Sequence, residues 1–525
     1  MGTYDYQTYD VIKPRELDGQ RSDAPVVIVG AGPIGLAAAI DLALQGIKTI
    51  VVDDNNVVSV GSRAICWAKR SLEIFDRLGV GQRMLEKGVT WQLGRVHVGD
   101  EQVYTFDLLP EAGHQYPAFI NLQQYYVEQY LIERCADFPD LIEIRFKNKV
   151  VAVRNQPDQV ELDLETPFGD YTLNAQWLIA CDGAKSFVRD ALGLQFKGQV
   201  FDEQFLIADI KMEADFPSER WFWFMPTFHP GQSALLHKQP DNIYRIDLQL
   251  GADADVALEK QPERVIPRIK KVVGERPFEL DWVSVYQFRC AKLDRFVHDR
   301  VVFAGDSAHV VSPFGARGGN GGIHDIDNLG WKLARVVRGE ADTSLMETYN
   351  QERVYGSEEN IRNSTWTTQY MSPETSVATL FRDAVLDLAK TRAFARRMVN
   401  AGRLSVPCVL EEFALQTPSP AISTVRTGQV CPDAPLSLNG RPQWLLPMLG
   451  GAFKLLCVGC EIRVNGLESI VIGDGGYEDA TGKAVKDYGQ GVYLIRPDQH
   501  VAAQWTAPTE SDILSALARA GGEQC

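Results

Sequence analysis

The spacing of apolar positions changes abruptly at Ala24–Pro25. Residues 1–24 are polar and broken by Pro and Gly, and read as an irregular arm. From Val26 the chain runs VVIVGAGPIGLAAAIDLALQGIKTIVVDD. A short unbroken apolar run, a glycine turn, helical spacing from Leu36 to Leu44 and a second apolar run predict strand, turn, helix and strand, with buried parallel strands. Related patterns recur at WLIACDGAKSFVRDALGL, with a strand over Trp177–Ala180, and at DRVVFAGDSAHVVSPFGARGGNGGIHDIDNLGWKL, with a strand over Val301–Ala304. Between these two the pattern alternates instead. FLIADIKM, RWFWFMPTF, SALLHK and YRIDLQL predict strands of an antiparallel sheet with two unlike faces. Residues 355–400 show helical spacing; after LSVPC, Pro and Gly rise and a mixed pattern of strands and helices follows from about 405.

Bulk properties narrow this picture. A chain of 525 residues, 45% hydrophobic and 23% charged, has room for two or three domains. A net charge of -16 argues against nucleic acid or an anionic membrane as the main partner. No apolar window is long enough for a membrane helix, and the first residues lack a signal-peptide pattern. Nine scattered cysteines, an odd number, point to a reducing, cytoplasmic setting rather than a disulfide framework. No HExxH or paired CxxC motif is present, so no metal centre is expected. Cys457 and Cys460 lie in AFKLLCVGCEIRV, a strand-like stretch, and are expected to be packed thiols rather than a redox pair.

The chemistry is carried by the glycines. Gly30, Gly32 and Gly35 have GxGxxG spacing between strand and helix. The first allows a tight turn, the second lets backbone approach a pyrophosphate, and the third lets helix and strand pack closely. Asp53 closes the next strand, where a carboxylate can accept ribose hydroxyls; Asp54 could exchange roles with it. The second segment carries DGxxSxxR from Asp182 to Arg189, and the third carries Gly305–Asp306 followed by a glycine-dense stretch from Gly315 to Gly322. Consecutive small residues there expose backbone N–H groups for an electron-rich ligand.

Together the three ordered segments resemble the fingerprints of single-component, para-hydroxybenzoate-hydroxylase-like flavoprotein monooxygenases. The nearer likeness is to the branch with phenol hydroxylase and 3-(3-hydroxyphenyl)propionate hydroxylase. The resemblance covers roughly residues 25–400; RPDQHVAAQW also resembles the end of that branch's thioredoxin-like domain. It implies an α/β and α+β architecture, with a Rossmann-like FAD-binding domain (25–90, 126–199 and 286–400), an inserted antiparallel-sheet substrate domain (91–125 and 200–285) and a thioredoxin-like domain over 405–525. The implied reaction is hydroxylation of a phenolic or related aromatic substrate with NADH or NADPH and O2, through a C4a-hydroperoxyflavin. Flavin-dependent epoxidation or oxidative removal of a substituent is the alternative, and a catalytically silent flavin-binding interaction protein a minor one.

For residues, the resemblance implies cofactor contacts from Gly30, Gly32, Gly35, Asp53, Arg63, Gln124, Asp182, Arg189, Gly305, Asp306, Gly318, Gly319 and Asn320, with the Asp182–Arg189 segment linked to both FAD and the nicotinamide cofactor. Glu128 and Leu131 complete the local pattern around Gln124, and Gln123 is its neighbour. Pro313 resembles a proline whose carbonyl lies near substrate and flavin. His237 and Tyr286 are candidates to handle a phenolic proton, and Phe224, His229, Arg245 and Arg289 to contact substrate, by location and composition. A homodimer is also compatible with the branch.

Overall fold

A six-stranded sheet organises the first of three units. The structure is a computed structural model describing residues 4–251, 254–373 and 375–523; the side chains of 202 and 203 are also outside it. The first residues of the arm and Cys525 therefore lie outside the described residues. Strand Val26–Val29 sits centrally and pairs in parallel with Thr49–Asp53 on one side and Trp177–Ala180 on the other. Trp177–Ala180 pairs in turn with Val301–Phe303, and Ile142–Phe146 extends the opposite side. All four residues of Val26–Val29 and of Trp177–Ala180 are buried, as unbroken apolar runs between two helical layers should be. Helix Pro33–Leu44 is buried from Gly35 to Ala43 and lies against the long helix Gly318–Val337. Their contact depends on small residues: a Cβ at Gly322 would meet Ile34, and one at Gly330 would collide with Asp41.

The second unit is an eight-stranded sheet, antiparallel except where Arg220–Phe224 lies parallel to Leu93–Val98. Its two faces follow the predicted alternation. Phe222, Phe224, Leu235 and Phe288 pack on one face, whereas Trp223, Leu236, Ile246 and Leu248 pack on the other with helix Pro262–Val273. Strands Lys197–Lys211 and Glu279–Lys292 are continuous across residues 199/200 and 285/286. The domain cuts expected there fall inside single strands of the eight-stranded sheet. Sequence composition changes along these strands, and their ladder shifts register between Val200 and Gln204 without ending either strand.

The third unit holds a four-stranded mixed sheet ordered Glu468–Ile472, Lys454–Val458, Gly491–Ile495, Val501–Trp505, with helix Glu510–Ala520 against it. Cys457 ends within a strand and Cys460 lies just beyond it; neither opens a helix, and burial pushes both thiols up. A buried ionic cluster joins this unit to the first. Arg496 makes a two-pronged pair with Glu352 at 2.8 and 2.9 Å and also pairs with Asp498, while Lys332 reaches Glu352 at 2.7 Å. Arg70 links Asp327 at 2.7 Å to the Asp498 carbonyl oxygen at 3.0 Å. No helix among the described residues is long and apolar enough to cross a membrane.

Candidate functional site

Parallel register places the carboxyl ends of three strands side by side. Val29 aligns with Ala180 and Ala180 with Phe303, so Gly30, Cys181–Gly183 and Ala304–Asp306 emerge together. Ligands of open α/β sheets bind outside such strand ends. Gly30 has φ of 105° and a Cβ there would stand 2.5 Å from the Cys181 carbonyl oxygen, so the first two turns touch. A Cβ at Gly35 would collide with the Gly30 carbonyl oxygen. Gly32 is different: its φ is ordinary and a Cβ there would meet nothing within 4 Å. Packing within the chain does not require glycine at 32, whereas close approach of a bound pyrophosphate to the helix start does.

The carboxylates around this opening are already oriented. Asp53 accepts the Ala31 N–H at 2.7 Å and the Asn55 N–H at 2.8 Å, and burial pushes its carboxyl up. Asp54 turns outward and accepts from the Asn55 side chain at 2.8 Å. Asp182 accepts the Val188 N–H at 3.0 Å, leaving its buried Oδ1 without a partner. Arg189 donates to the Ala184 carbonyl at 3.1 Å, lies 4.2 Å over the Phe196 ring, and leaves Nη1 without a partner. Asp306 opens to the cleft surface but is ringed by protein; desolvation pushes its carboxyl up, with His309 and Arg63 pulling it down.

Arg63 is exposed on the loop facing Asp306 and Tyr286; burial and then Asp306 push the Tyr286 hydroxyl up, and Arg63 opposes the rise at both groups. Gln124 and Glu128 hold that loop. Gln124 accepts the Ala64 N–H at 3.2 Å and donates to Ser59 at 3.1 Å, while Glu128 accepts the Ser59 N–H at 2.6 Å. The buried Gln123 turns away and donates to the Pro240 carbonyl at 3.3 Å. The Gln124 side chain thus orients a loop in this structure. Leu131 is wholly buried in the core of the first unit.

The glycine-dense stretch is not a loop leading to a helix but the helix's own first turns, from Gly318. Its first N–H groups have no helical acceptor and point outward beside the three strand ends. Gly318 and Gly319 leave that end bare. The Asn320 side chain is directed inward: Oδ1 accepts the Ala68 N–H and Nδ2 donates to the Cys66 carbonyl, both at 2.9 Å. Only its backbone remains for a ligand. Pro313 is exposed and its carbonyl accepts the Ala316 N–H at 3.1 Å, closing a turn.

Asp325, unremarked in the sequence reading, fastens this region. It accepts the Gly305 N–H at 2.9 Å, faces His309 Nε2 at 2.7 Å and accepts Arg353 Nε at 2.7 Å. His309 and Arg353 hold its wholly buried carboxyl down at about 2 against the opposing effect of desolvation.

Beside the turn at 313–316 a narrow cavity of about 20 Å³ is walled by Trp91, Phe106, Phe222, Phe314, Tyr370 and Met371, among others. As closed here it has room for about one water, so a ring enters only if these side chains move apart. Several expected substrate contacts lie elsewhere. Arg245 is buried in a pair with Asp209 at 2.8 Å and also holds the Ser62 carbonyl, so its guanidinium joins sheet to loop. His229 sits at the rim of the opposite face, its Nε2 2.6 Å from the Gln249 carbonyl oxygen. Arg289 alternates outward from Phe288 and Cys290 and is exposed. His237 is buried on the inner face, 3.3 Å from Asp247, and burial pushes it down to about 4, so it is neutral there. Neither His237 nor Tyr286 forms part of the cavity wall; Tyr286 faces the Arg63–Asp306 cleft instead. Phe224 is buried behind the wall, edge-on to Tyr370 at 6.1 Å.

Two wall residues were missed. Arg220 shares a face with Phe222 and Phe224 in RWFWF, a charged residue at an inward position of the alternation. Arg403 follows the last helix of the 345–400 region, where no periodic signal marks it.

The strand ends, the bare helix start and the adjoining aromatic cavity define a dinucleotide-binding oxidoreductase architecture. Residues 23–364 match the FAD binding domain family, to which this chain belongs. A flavin-dependent monooxygenase of Mycobacteroides abscessus is 31% identical over 358 residues, covering 63% of this chain and 71% of that protein. A 3-(3-hydroxy-phenyl)propionate/3-hydroxycinnamic acid hydroxylase of Mycolicibacterium smegmatis is 26% identical over 443 residues, covering 82% and 76%. Among solved structures, the flavin-dependent monooxygenase PieE in complex with FAD and substrate superposes with TM-score 0.81 at 22% identity, covering 95% of this chain and 99% of that one. The chain is thus an FAD-dependent monooxygenase, and the opening at Gly32 with the partnerless Asp182 oxygen fits such a nucleotide.

Proposed function

We propose that the protein hydroxylates a phenolic or related aromatic compound, consuming NADH or NADPH and O2. The observation carrying this reading is the aromatic cavity, which shares Phe314 and Gly315 with the segment entering the glycine-rich helix start. A ring admitted between these aromatic side chains, once they part, stands next to the region where the flavin is expected. Relatives named as hydroxylases of hydroxyphenyl acids support the same class.

FAD, when bound, supplies hydride acceptance and activation of oxygen at its C4a position. Gly30, Gly32, Asp53, Asp182, Arg189, Asp306, Gly318 and Gly319 are the residues we assign to holding it, with Arg63 on the cleft loop. The apolar wall orients the ring and excludes water, which limits wasteful release of hydrogen peroxide. We assign proton exchange with groups in the cleft to Tyr286 rather than to the neutral and enclosed His237, because Tyr286 lies near Asp306 and Arg63. The third unit is read as a thioredoxin-like domain with a structural role, since Cys457 and Cys460 lack an activating helix start.

The test is turnover under labelled oxygen gas with NADH and NADPH across a panel of phenols. A product carrying one labelled atom and an intact ring substituent is expected. Coenzyme oxidation yielding only hydrogen peroxide for every phenol, or a product that has lost a substituent, would overturn the proposal.

A further inference from the structure

The cavity wall contains two guanidinium groups that have no ion-pair partner among the described residues. Arg220 and Arg403 are 7% and 8% exposed. Neither has a carboxylate within ion-pair distance among the described residues; Asp247, in the same inner-face row as Arg220, lies against His237 and favours the Arg220 charge only from beyond that distance, and no carboxylate acts on Arg403. Arg220 makes no hydrogen bond there, and its buried Nε is without a partner. Arg403 makes one, from Nε to the Val399 carbonyl at 3.1 Å, and leaves Nη1 bare. Both lie over the same ring, Arg220 5.0 Å and Arg403 4.1 Å from the centre of Phe222.

Burying an unpaired charge is costly, and a buried cation is ordinarily paired. Cation–π contact with Phe222 offsets part of that cost but supplies no negative charge. The two cations also repel each other, and desolvation pulls Arg403 down to about 10. Two like charges facing one cavity, both underused as donors, are the electrostatic imprint of a missing anion. The aromatic side chains beside them suit an anion carried on an apolar ring.

Resting on the aromatic-hydroxylase reading, we propose that Arg220 and Arg403 jointly bind a carboxylate carried by the substrate, so that the enzyme selects hydroxyaryl acids over neutral phenols. A carboxylate matches the planar fork of guanidinium and would supply the acceptors that Arg220 and Arg403 lack.

The experiment uses the holoenzyme and two matched pairs, 3-hydroxyphenylpropionate and 3-hydroxybenzoate, each against its primary amide. Binding is read from perturbation of the flavin spectrum and from the shift in melting temperature. At least one acid should bind roughly 10- to 100-fold more tightly than its amide, the range expected for charged hydrogen bonds. Arg403→Met should melt at or above the native temperature, because removing an uncompensated buried charge is neutral or stabilising, and should bind acid and amide alike. Arg403→Lys should restore part of the preference. Equal binding of acid and amide by the native enzyme, or no perturbation by any of the four, overturns the proposal. So does an Arg403→Met variant that melts far lower while keeping the acid preference, as a purely structural arginine would. Oxygenation of neutral phenols with acids ignored would sink only this inference. Selective acid binding without labelled product from any phenol would sink only the hydroxylase reading.

Discussion

Asp325→Ala should destabilise the folded protein by about 3–5 kcal/mol and release most of its FAD, as expected for one partner removed from a buried pair. Three groups lose their acceptor at once: the Gly305 N–H, His309 and Arg353. Arg353 is left as an enclosed cation, and the turn carrying Gly305 and Asp306 loses its anchor beside the bare helix start. Urea unfolding and the flavin-to-protein absorbance ratio measure the two effects. Retention of native stability and full flavin content would show that the network does not hold this turn. The same carboxylate makes a pH prediction. Its folded pKa, about 2, is below the ordinary value of 3.8, so its contribution is present above that ordinary value and lost as pH falls through 2. Acid unfolding from about pH 4 downward should therefore be less steep in Asp325→Asn.

Glu352→Ala should cost a similar ~3–5 kcal/mol by stranding Arg496 and Lys332, both wholly buried. Its signature differs from that of Asp325, because Arg496 belongs to the third unit and Glu352 to helix Leu345–Met371. Limited proteolysis should cut the variant within residues 401–434, the irregular connection between them, faster than the native chain. Unchanged cleavage together with unchanged stability would contradict the role assigned to this cluster. Replacing Glu352 and Arg496 together by apolar residues should recover much of the loss, since the penalty comes from the orphaned charge.

How far the sequence could be read depended on whether a feature was local. Gly30 and Gly35 are demanded by a turn and a close helix–strand contact within a few residues, so their spacing alone was informative. The three strand ends meet because consecutive buried runs pair in parallel, which the unbroken Val and Ile stretches already implied. The substrate side depends instead on which inward positions of separate strands become neighbours. Arg245 looked like an anion ligand because it lies in a strand of the inserted sheet, yet Asp209 on the adjoining strand neutralises it. Arg289 and His229 were displaced from the cavity by pleat and turn geometry. Arg220 was recoverable from the alternation of RWFWF; Arg403, in an aperiodic segment, was not. Asp325 and Glu352 were hidden for another reason: a charged residue on a helix reads as solvent-facing until its partners, distant in sequence, are known. RPDQH was noticed only through resemblance, whereas its physical role is to deliver Arg496 and Asp498 into a cluster between units.

The most direct test of the account is a titration of apoprotein with FAD, comparing the native chain with Gly32→Ala. The native chain should take up one equivalent of FAD. Gly32→Ala should show the native melting temperature without FAD, because its Cβ meets nothing in the protein, and should then fail to saturate where the native chain does. Native apoprotein that takes up no FAD, or a Gly32→Ala variant that binds it as tightly as the native chain, would contradict the claim that these strand ends cradle the flavin nucleotide.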